Sequence, residues 1–240
     1  METLAPTLPS LARTSFSDVV EGAIGAAGML FDLATPFLRP ARSHWGLGPA
    51  DAAREFPGDA LVPDPVLSWA HGVEIDAPPE AVWPWVAQIG QNKGGFYSYQ
   101  FLENLAGCGV VNADRIHEEW QHPDSGEGLK LHRASPGLPI AAMEDGRWFV
   151  AHASFDPSTG APSSPGPANG RPSLNASWLF LVEPLSAGRS RFVSRFRCAY
   201  EHATLATRLA FGPYLVESIG FVMDRRMLLG VKERVERART

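Results

Sequence analysis

Residues 68–121, SWAHGVEIDAPPEAVWPWVAQIGQNKGGFYSYQFLENLAGCGVVNADRIHEEWQ, decide the fold. The run opens with Trp69, Val73 and Ile75 set against polar His71, Glu74 and Asp76, the alternation of a half-buried strand. Pro78 and Pro79 end that strand, and Glu80 to Ile89 reads as a short helix. Pro84 falls inside it, where it removes a hydrogen bond and crowds the carbonyl of Glu80. That helix is therefore kinked, or its first turn is a separate piece. The turn GQNKGG leads to a second helix, roughly Tyr99 to Ala106.

Downstream, shorter strands are expected at Leu129 to Arg133, Ile140 to Glu144 and Arg147 to Phe155, with a tight turn at Asp145-Gly146. Residues 156–175 are rich in Pro, Gly, Ser and Asn and read as a long mobile hairpin loop rather than a domain linker. Strands resume at Ser177 to Glu183 and Arg191 to Glu201, and a helical pattern runs from Pro213 to about Arg237. In that last helix Leu215, Ile219, Val222, Met223, Arg226, Leu229 and Val231 recur at helical spacing.

Three blocks, APPEAVWPWVAQIGQ, GFYSYQFLENLAGC followed by NADRIHEEWQ, and FVMDRRMLLGVKERVE, resemble the SRPBCC superfamily, in its polyketide cyclase or dehydrase-like branch. The resemblance covers about residues 66–238. It implies an α+β, START-like helix-grip fold: a curved antiparallel β-sheet wrapped around a long C-terminal α-helix. It also implies a cavity for a hydrophobic small molecule, aromatic, polyketide-like or lipid-like, between sheet and helix. Two function classes follow, a binding module and a cofactor-independent cyclase or dehydratase in which polar cavity residues move protons. A wholly apolar lining favours the first and a deep polar group the second.

Residues 1–65 form an N-terminal helical extension and connector ahead of a ligand-binding domain at 66–240. Phe16 to Leu38 is apolar, but Asp18, Glu21 and Asp32 interrupt it and each is costly at the bilayer centre. Membrane contact through residues 16–38 is the lesser reading. The favoured one is an amphipathic helix that lies on the domain through Val19, Ile24, Met29 and Leu33. Residues 39–67, punctuated by Pro40, Pro49, Pro57, Gly58, Pro63 and Pro65, read as an irregular connector.

Composition excludes several functions. A chain of 240 residues with 45% hydrophobic residues can bury a sizeable core. A net charge of −5, spread along the chain, does not advertise a nucleic-acid partner. Cys108 and Cys198 make neither a disulfide framework nor a metal finger, which fits a cytoplasmic protein with buried thiols. There is no dinucleotide fingerprint, phosphate loop or Gly-x-Ser-x-Gly elbow, and no cofactor is expected.

The candidate ligand-binding residues are Tyr97, Tyr99, Trp148, Trp178, Phe196, Tyr200, Met223 and Arg226. On the last strand Phe192, Ser194, Phe196, Cys198 and Tyr200 share one face, assigned to the concave side. Arg195 and Arg197 share the other, as a solvated surface or as partners of the N-terminal segment. Both faces of 147–155 are apolar, so its inward face is open. His152, if inward, is the best acid–base candidate, with Asp114 and Glu119 as alternatives that would need burial to raise their pKa. Tyrosine hydroxyls at a cavity mouth orient a carbonyl or cap the core. Arg226 binds a carboxylate or phenolate, or snorkels at the helix edge. His117, Glu118, Glu119 and His122 cluster, but histidines five apart do not share a helical face, and no metal site is expected.

Overall fold

Residues 14–124, 128–134, 137–157, 159–162, 172–186, 188–210, 212 and 215–239 are described in the computed structural model of the chain. The expected loop at 156–175 and the start of the last helix at Pro213 lie partly outside them.

Alternating and continuous apolar runs form one antiparallel sheet in the order β1-β5-β4-β3-β2. Its strands are β1 (Leu67–Ile75), β2 (Ile140–Glu144), β3 (Trp148–Phe155), β4 (Ser173–Ser186) and β5 (Arg189–Glu201). The helices are α1 (Phe16–Ala34), α2 (Arg39–Arg42), α3 (Pro49–Ala53), α4 (Pro79–Ala87), α5 (Gln100–Leu105), α6 (Leu205–Ala210) and α7 (Leu215–Arg237), of which α7 fills the concave face against β1 and β5 and α4 against β4 and β5. A curved antiparallel sheet around a long C-terminal helix is the helix-grip arrangement. Between them Phe149, Phe180 and Phe192 are almost completely buried, each stabilising the fold by about 2–3 kcal/mol.

Several local expectations need correction. Leu129 to Arg133 is not a strand and contributes a single bridge, Leu129 to Leu138. α4 is one continuous helix with Pro84 inside it, so its first turn is not a separate piece. The buried stripe of α7 is Val222, Asp224, Met227, Leu228, Val231 and Val235, while Leu215 and Ile219 are exposed.

The connector explains why β3 is apolar on both faces. Leu47 and Phe56 pack on Ala70, Val150, Leu179, Leu181 and Val193, so the convex face of the sheet is also covered. Polar bonds hold that cover in place: Arg195 binds Asp59 at 3.0 Å, and Arg197 donates to the carbonyls of Val62 and Pro63 at 2.8 Å. The paired arginines therefore hold the N-terminal segment rather than face water. Ser43 and Trp45 offer their carbonyls to Ala70 and Gly72, protecting the outer edge of β1. With both faces buried, strand parity alone does not choose the inward side of β3. The register pairs Phe149 with Phe180 and Ala151 with Trp178 on the concave face. Trp148 and His152 thus lie on the convex face, contrary to the expectation that they line a cavity. His152 Nε2 is engaged by Asn175 Oδ1 at 2.7 Å.

The N-terminal helix docks in an unexpected sense. In α1 (Phe16–Ala34), Ser15 and Asp18 form a capping box that starts the helix, and Thr35 ends it before Pro36. Its buried residues are Gly22, Gly25 and Asp32. Gly22 meets Phe101 and Gly25 lies on the ring of Tyr99, where a Cβ would approach within 3.0 Å. Val19, Ile24 and Leu33, assigned to the domain side, point outward and are exposed. The helix follows its glycines because only they let its backbone approach the aromatic surface this closely.

Two glycines of the helices test this close packing. A Cβ on Gly230 would lie 2.1 Å from the carbonyl oxygen of Tyr97, a backbone atom that cannot swing away. A Cβ on Gly28 would meet only Val222, at an ordinary 3.5 Å. Gly230→Ala is expected to lower the unfolding free energy by about 1–3 kcal/mol. Gly28→Ala is expected to raise it by up to about 1 kcal/mol through helix propensity. Urea denaturation of both variants checks the opposite signs.

Candidate ligand-binding site

The concave core is not uniform. One apolar cluster gathers Phe149, Phe180, Phe192, Met227 and Leu228 around Val82, Val86 and Phe96. A second holds Leu67, Trp69, Leu174, Ala176 and Cys198, with Phe155, Phe196 and Val216 against it. Between them the sheet turns polar. His71 on β1 lies opposite Ser194 on β5, which lies opposite Phe180 on β4. Above them α7 supplies Asp224.

His71 and Asp224 form the centre of this belt. His71 Nδ1 donates to Asp224 Oδ2 across 2.5 Å, with the two side chains 1% and 2% exposed. Trp69 stacks on one side of His71 with 5.8 Å between ring centroids, and Phe221 meets it edge-on at 5.4 Å. Trp178 Nε1 donates to Ser194 Oγ at 2.8 Å. Three buried polar atoms are left without a partner: His71 Nε2, Asp224 Oδ1 and Trp69 Nε1. An unmet buried group of this kind costs about 1–3 kcal/mol. Trp178 and Phe196, paired neighbours on β4 and β5, are only half-buried, although both strands are interior to the sheet. Phe196 stacks on Trp69 at 4.5 Å and Trp178 on Phe96 at 6.2 Å, giving an aromatic wall beside the polar belt.

The expected site residues divide among three places. Trp178, Phe196 and Tyr200 lie on the concave face. Tyr97, Tyr99 and Arg226 come together elsewhere, in a cleft of about 320 Å³ between α1, the 97–100 loop and α7. There Arg226 binds Glu233 at 3.1 Å and Glu21 at 3.4 Å, and Arg234 stacks over the Tyr97 ring at 4.6 Å. Three arginines face Asp18, Glu21 and Glu233, so the cleft carries no net excess of either sign. Met223 lies at its inner border, its carbonyl accepting from Ser98 Oγ at 3.2 Å. Asp114 and Glu119 are exposed, which removes the burial either needs to act as a base. The Glu119 carboxyl is held below its ordinary range by a backbone hydrogen bond and by His117, the opposite of a raised pKa. Among the described residues, no three His, Cys, Asp or Glu side chains converge on a point that could hold a metal.

Gln88 and the NADRIH block have structural work that spacing did not reveal. Gln88, fully buried, donates to Tyr97 Oη at 2.7 Å and to the carbonyl of Arg115, and accepts from the N–H of His117. Asn112 accepts from the N–H of Tyr97, a residue held at φ +55° in the left-handed region. Burial pushes the Tyr97 phenol well above its ordinary pKa, so it remains a neutral packing and hydrogen-bonding group.

His71, Asp224 and Ser194 were missed as site residues. In the alternation of β1 His71 stands among the polar residues, although it shares the parity of Trp69 and Val73. Asp224 is masked by its neighbours Arg225 and Arg226, and only its helical spacing to Met227, Leu228 and Val231 places it on the buried stripe.

No protein-family model and no curated protein matches the sequence. Solved structures similar to it include a conserved protein from Geobacillus kaustophilus, 11% identical, which covers 72% of this chain and 97% of its own with a TM-score of 0.38. The ZhuI aromatase/cyclase from Streptomyces sp. R1128 is 14% identical and covers 72% and 96%, with a TM-score of 0.28. The lipid transfer and protein localization domain of human StarD13 is 13% identical and covers 84% and 95%, with a TM-score of 0.26.

One further buried acid makes a pH prediction. Glu103, on α5 (Gln100–Leu105), has Oε2 buried without a partner, and burial raises its pKa to about 8 from an ordinary 4.5. Between those values the unfolded chain releases the proton while the folded chain keeps it. Folded stability therefore falls as pH rises through that window and levels above about 8. Glu103→Gln removes the penalty. Its gain in melting temperature is expected to be small near pH 4.5, to grow through neutral pH, and to be constant above about 8.

Proposed function

We propose that the concave face beside α7 binds a hydrophobic small molecule with a flat apolar body and one polar oxygen. The observation that carries this reading is the Trp178–Phe196 wall, only half-buried on interior strands, set against fully buried Phe180 one register step away and Phe192 two. An interior strand normally buries its concave side chains, so this strip is the part of the core left open to a guest. An aromatic guest stacks on Trp178 and Phe196 with offset geometry. Its oxygen accepts from Trp69 Nε1, recovering the desolvation cost of a donor that the protein leaves unmet.

Acid–base chemistry of the cyclase or dehydratase kind is the second reading, and the His71–Asp224 pair favours it. A carboxylate that accepts from Nδ1 fixes the ring orientation and leaves Nε2 as the atom that exchanges a proton. In that reading Nε2 takes a proton from the acidic carbon between two carbonyls, the carbon–hydrogen electron pair becomes an enolate, and the proton later returns from His71. Nε2 is enclosed, so the step needs the ligand to displace Phe221 or Trp69 from it.

Titration with 2-naphthol and, separately, with palmitate, followed by the ¹⁵N–¹H indole resonances, tests the binding reading. Saturable shifts of the Trp69 and Trp178 indoles are expected, weakened about tenfold or more in Trp178→Ala. A response to naphthol alone identifies an aromatic ligand class, and a response to palmitate alone a lipid-like one. Unmoved indoles with both probes would contradict the proposed site. Deuterium uptake from D₂O into the acidic carbon of a bound β-diketone, present in the wild type and lost in His71→Gln with binding retained, would support the enzymatic reading.

A further inference from the structure

We infer that the outward face of α1 is a self-association surface, on which the α1 helix of a second copy packs antiparallel. The polar residues of this helix are all spent on the domain side or its rim. Asp32 is buried against Arg42 at 2.9 Å, Glu21 reaches Arg226, and Asp18 closes the N-terminal cap. At 100° per residue, the half-turn from Leu33 round to Ile24 contains no charged side chain. Phe16 is 85% exposed, Leu30 68%, Ile24 63% and Phe31 59%, with Val20 and Leu33 near 40%.

The size of this face argues for a macromolecular occupant. Taking about 150–200 Å² for each large apolar side chain, these residues and Val19 leave roughly 700 Å² of apolar surface uncovered. The largest apolar patch on a monomer is typically about 300–600 Å². A stable interface takes about 800 Å² from each partner. One helix face thus nearly supplies the area of an isologous dimer, in which the same patch serves both copies.

The shape of the face chooses between a second helix and a lipid surface. Ala23, Ala27 and Ala34 lie along its centre line, which Phe16 shares at the N-terminal end, with Val20, Ile24 and Phe31 on one flank and Val19, Leu30 and Leu33 on the other. From Ala23 to Ala34, small residues in the middle and bulk on both sides make a shallow seat into which the ridge of another helix fits. An interfacial membrane helix instead places its bulk at the deepest point and Lys or Arg along the rim. α1 has no Lys or Arg anywhere. Antiparallel packing also opposes the two helix dipoles favourably. Among the described residues no single helix is long and apolar enough to cross a membrane, although α1 with Pro36–Arg42, bent by 90°, satisfies length and composition as a pair.

Sedimentation velocity of the full chain in detergent-free buffer, across a dilution series, tests this inference together with flotation on phosphatidylcholine vesicles. The wild type is expected to be dimeric, and Ala27→Glu and Ile24→Lys are each expected to weaken the dimer roughly 30-fold or more. Both positions are exposed, so near-UV circular dichroism of the variants should match the wild type. A wild type that is monomeric throughout, or variants that dimerise as strongly as it does, would overturn the inference. Flotation of a monomer, lost in Ala27→Glu, would assign the face to lipid and also overturn it.

Discussion

The contact between His71 and Asp224 joins the first strand of the sheet to the helix that the sheet wraps. Both side chains are withdrawn from water, and the pair is a buried polar link between β1 and α7 in a core held mainly by dispersion and hydrophobic burial. Such a pair adds less net stability than its geometry suggests, because desolvating both partners offsets much of their attraction. It is, however, directional. Apolar packing alone tolerates a helix that slides or rotates along a curved sheet, whereas a buried bond between β1 and α7, with Lys232 donating to the Glu74 carbonyl at 2.7 Å further along, favours a single register. Gly220 against Trp69 and Gly230 against Tyr97 then set how deeply α7 lies. The same bond places a polar belt across the middle of the concave face, dividing two apolar clusters and orienting the aromatic wall of Trp178 and Phe196.

The N-terminal segment works on the other side of the same sheet. Its connector covers the convex face and the outer edge of β1, and its ion pairs with Arg195 and Arg197 hold that cover down. The sheet is therefore buried on both faces, and the half-buried Trp178 and Phe196 on the concave side stand out as an exception. Arg42, bound to Asp32 and to the carbonyl of Thr35, fixes the bend after α1 and draws the helix carboxylate inward. That inward turn of charge leaves the outer half of α1 wholly apolar.

The order of elements was legible because strand, double proline and helix, and later the long helical period near the C-terminus, are local signals. Side-chain direction was legible only where one face of an element is polar. β5 alternates arginines with aromatics, and its inward residues follow directly. β3 is apolar on both sides because a distant segment covers its back, so its own pattern leaves open which face holds Trp148 and His152. α1 was misread for a related reason. Hydrophobic size normally marks the buried side, but here backbone proximity at Gly22 and Gly25 decides the docking. His71 was hidden by the habit of turning a lone polar residue outward, and only its partner on α7, 153 residues away, accounts for its burial.

The most direct test of this account is a double-mutant cycle on His71→Ala and Asp224→Ala, read by urea denaturation. If the pair is the register-setting link, each single substitution leaves a buried polar group unpaired and destabilises by about 3–5 kcal/mol. The double variant should then be little worse than either single one, with a coupling of about 2 kcal/mol or more. Additive losses, with coupling near zero, would show that α7 is held by packing alone and would contradict the central role given to this contact.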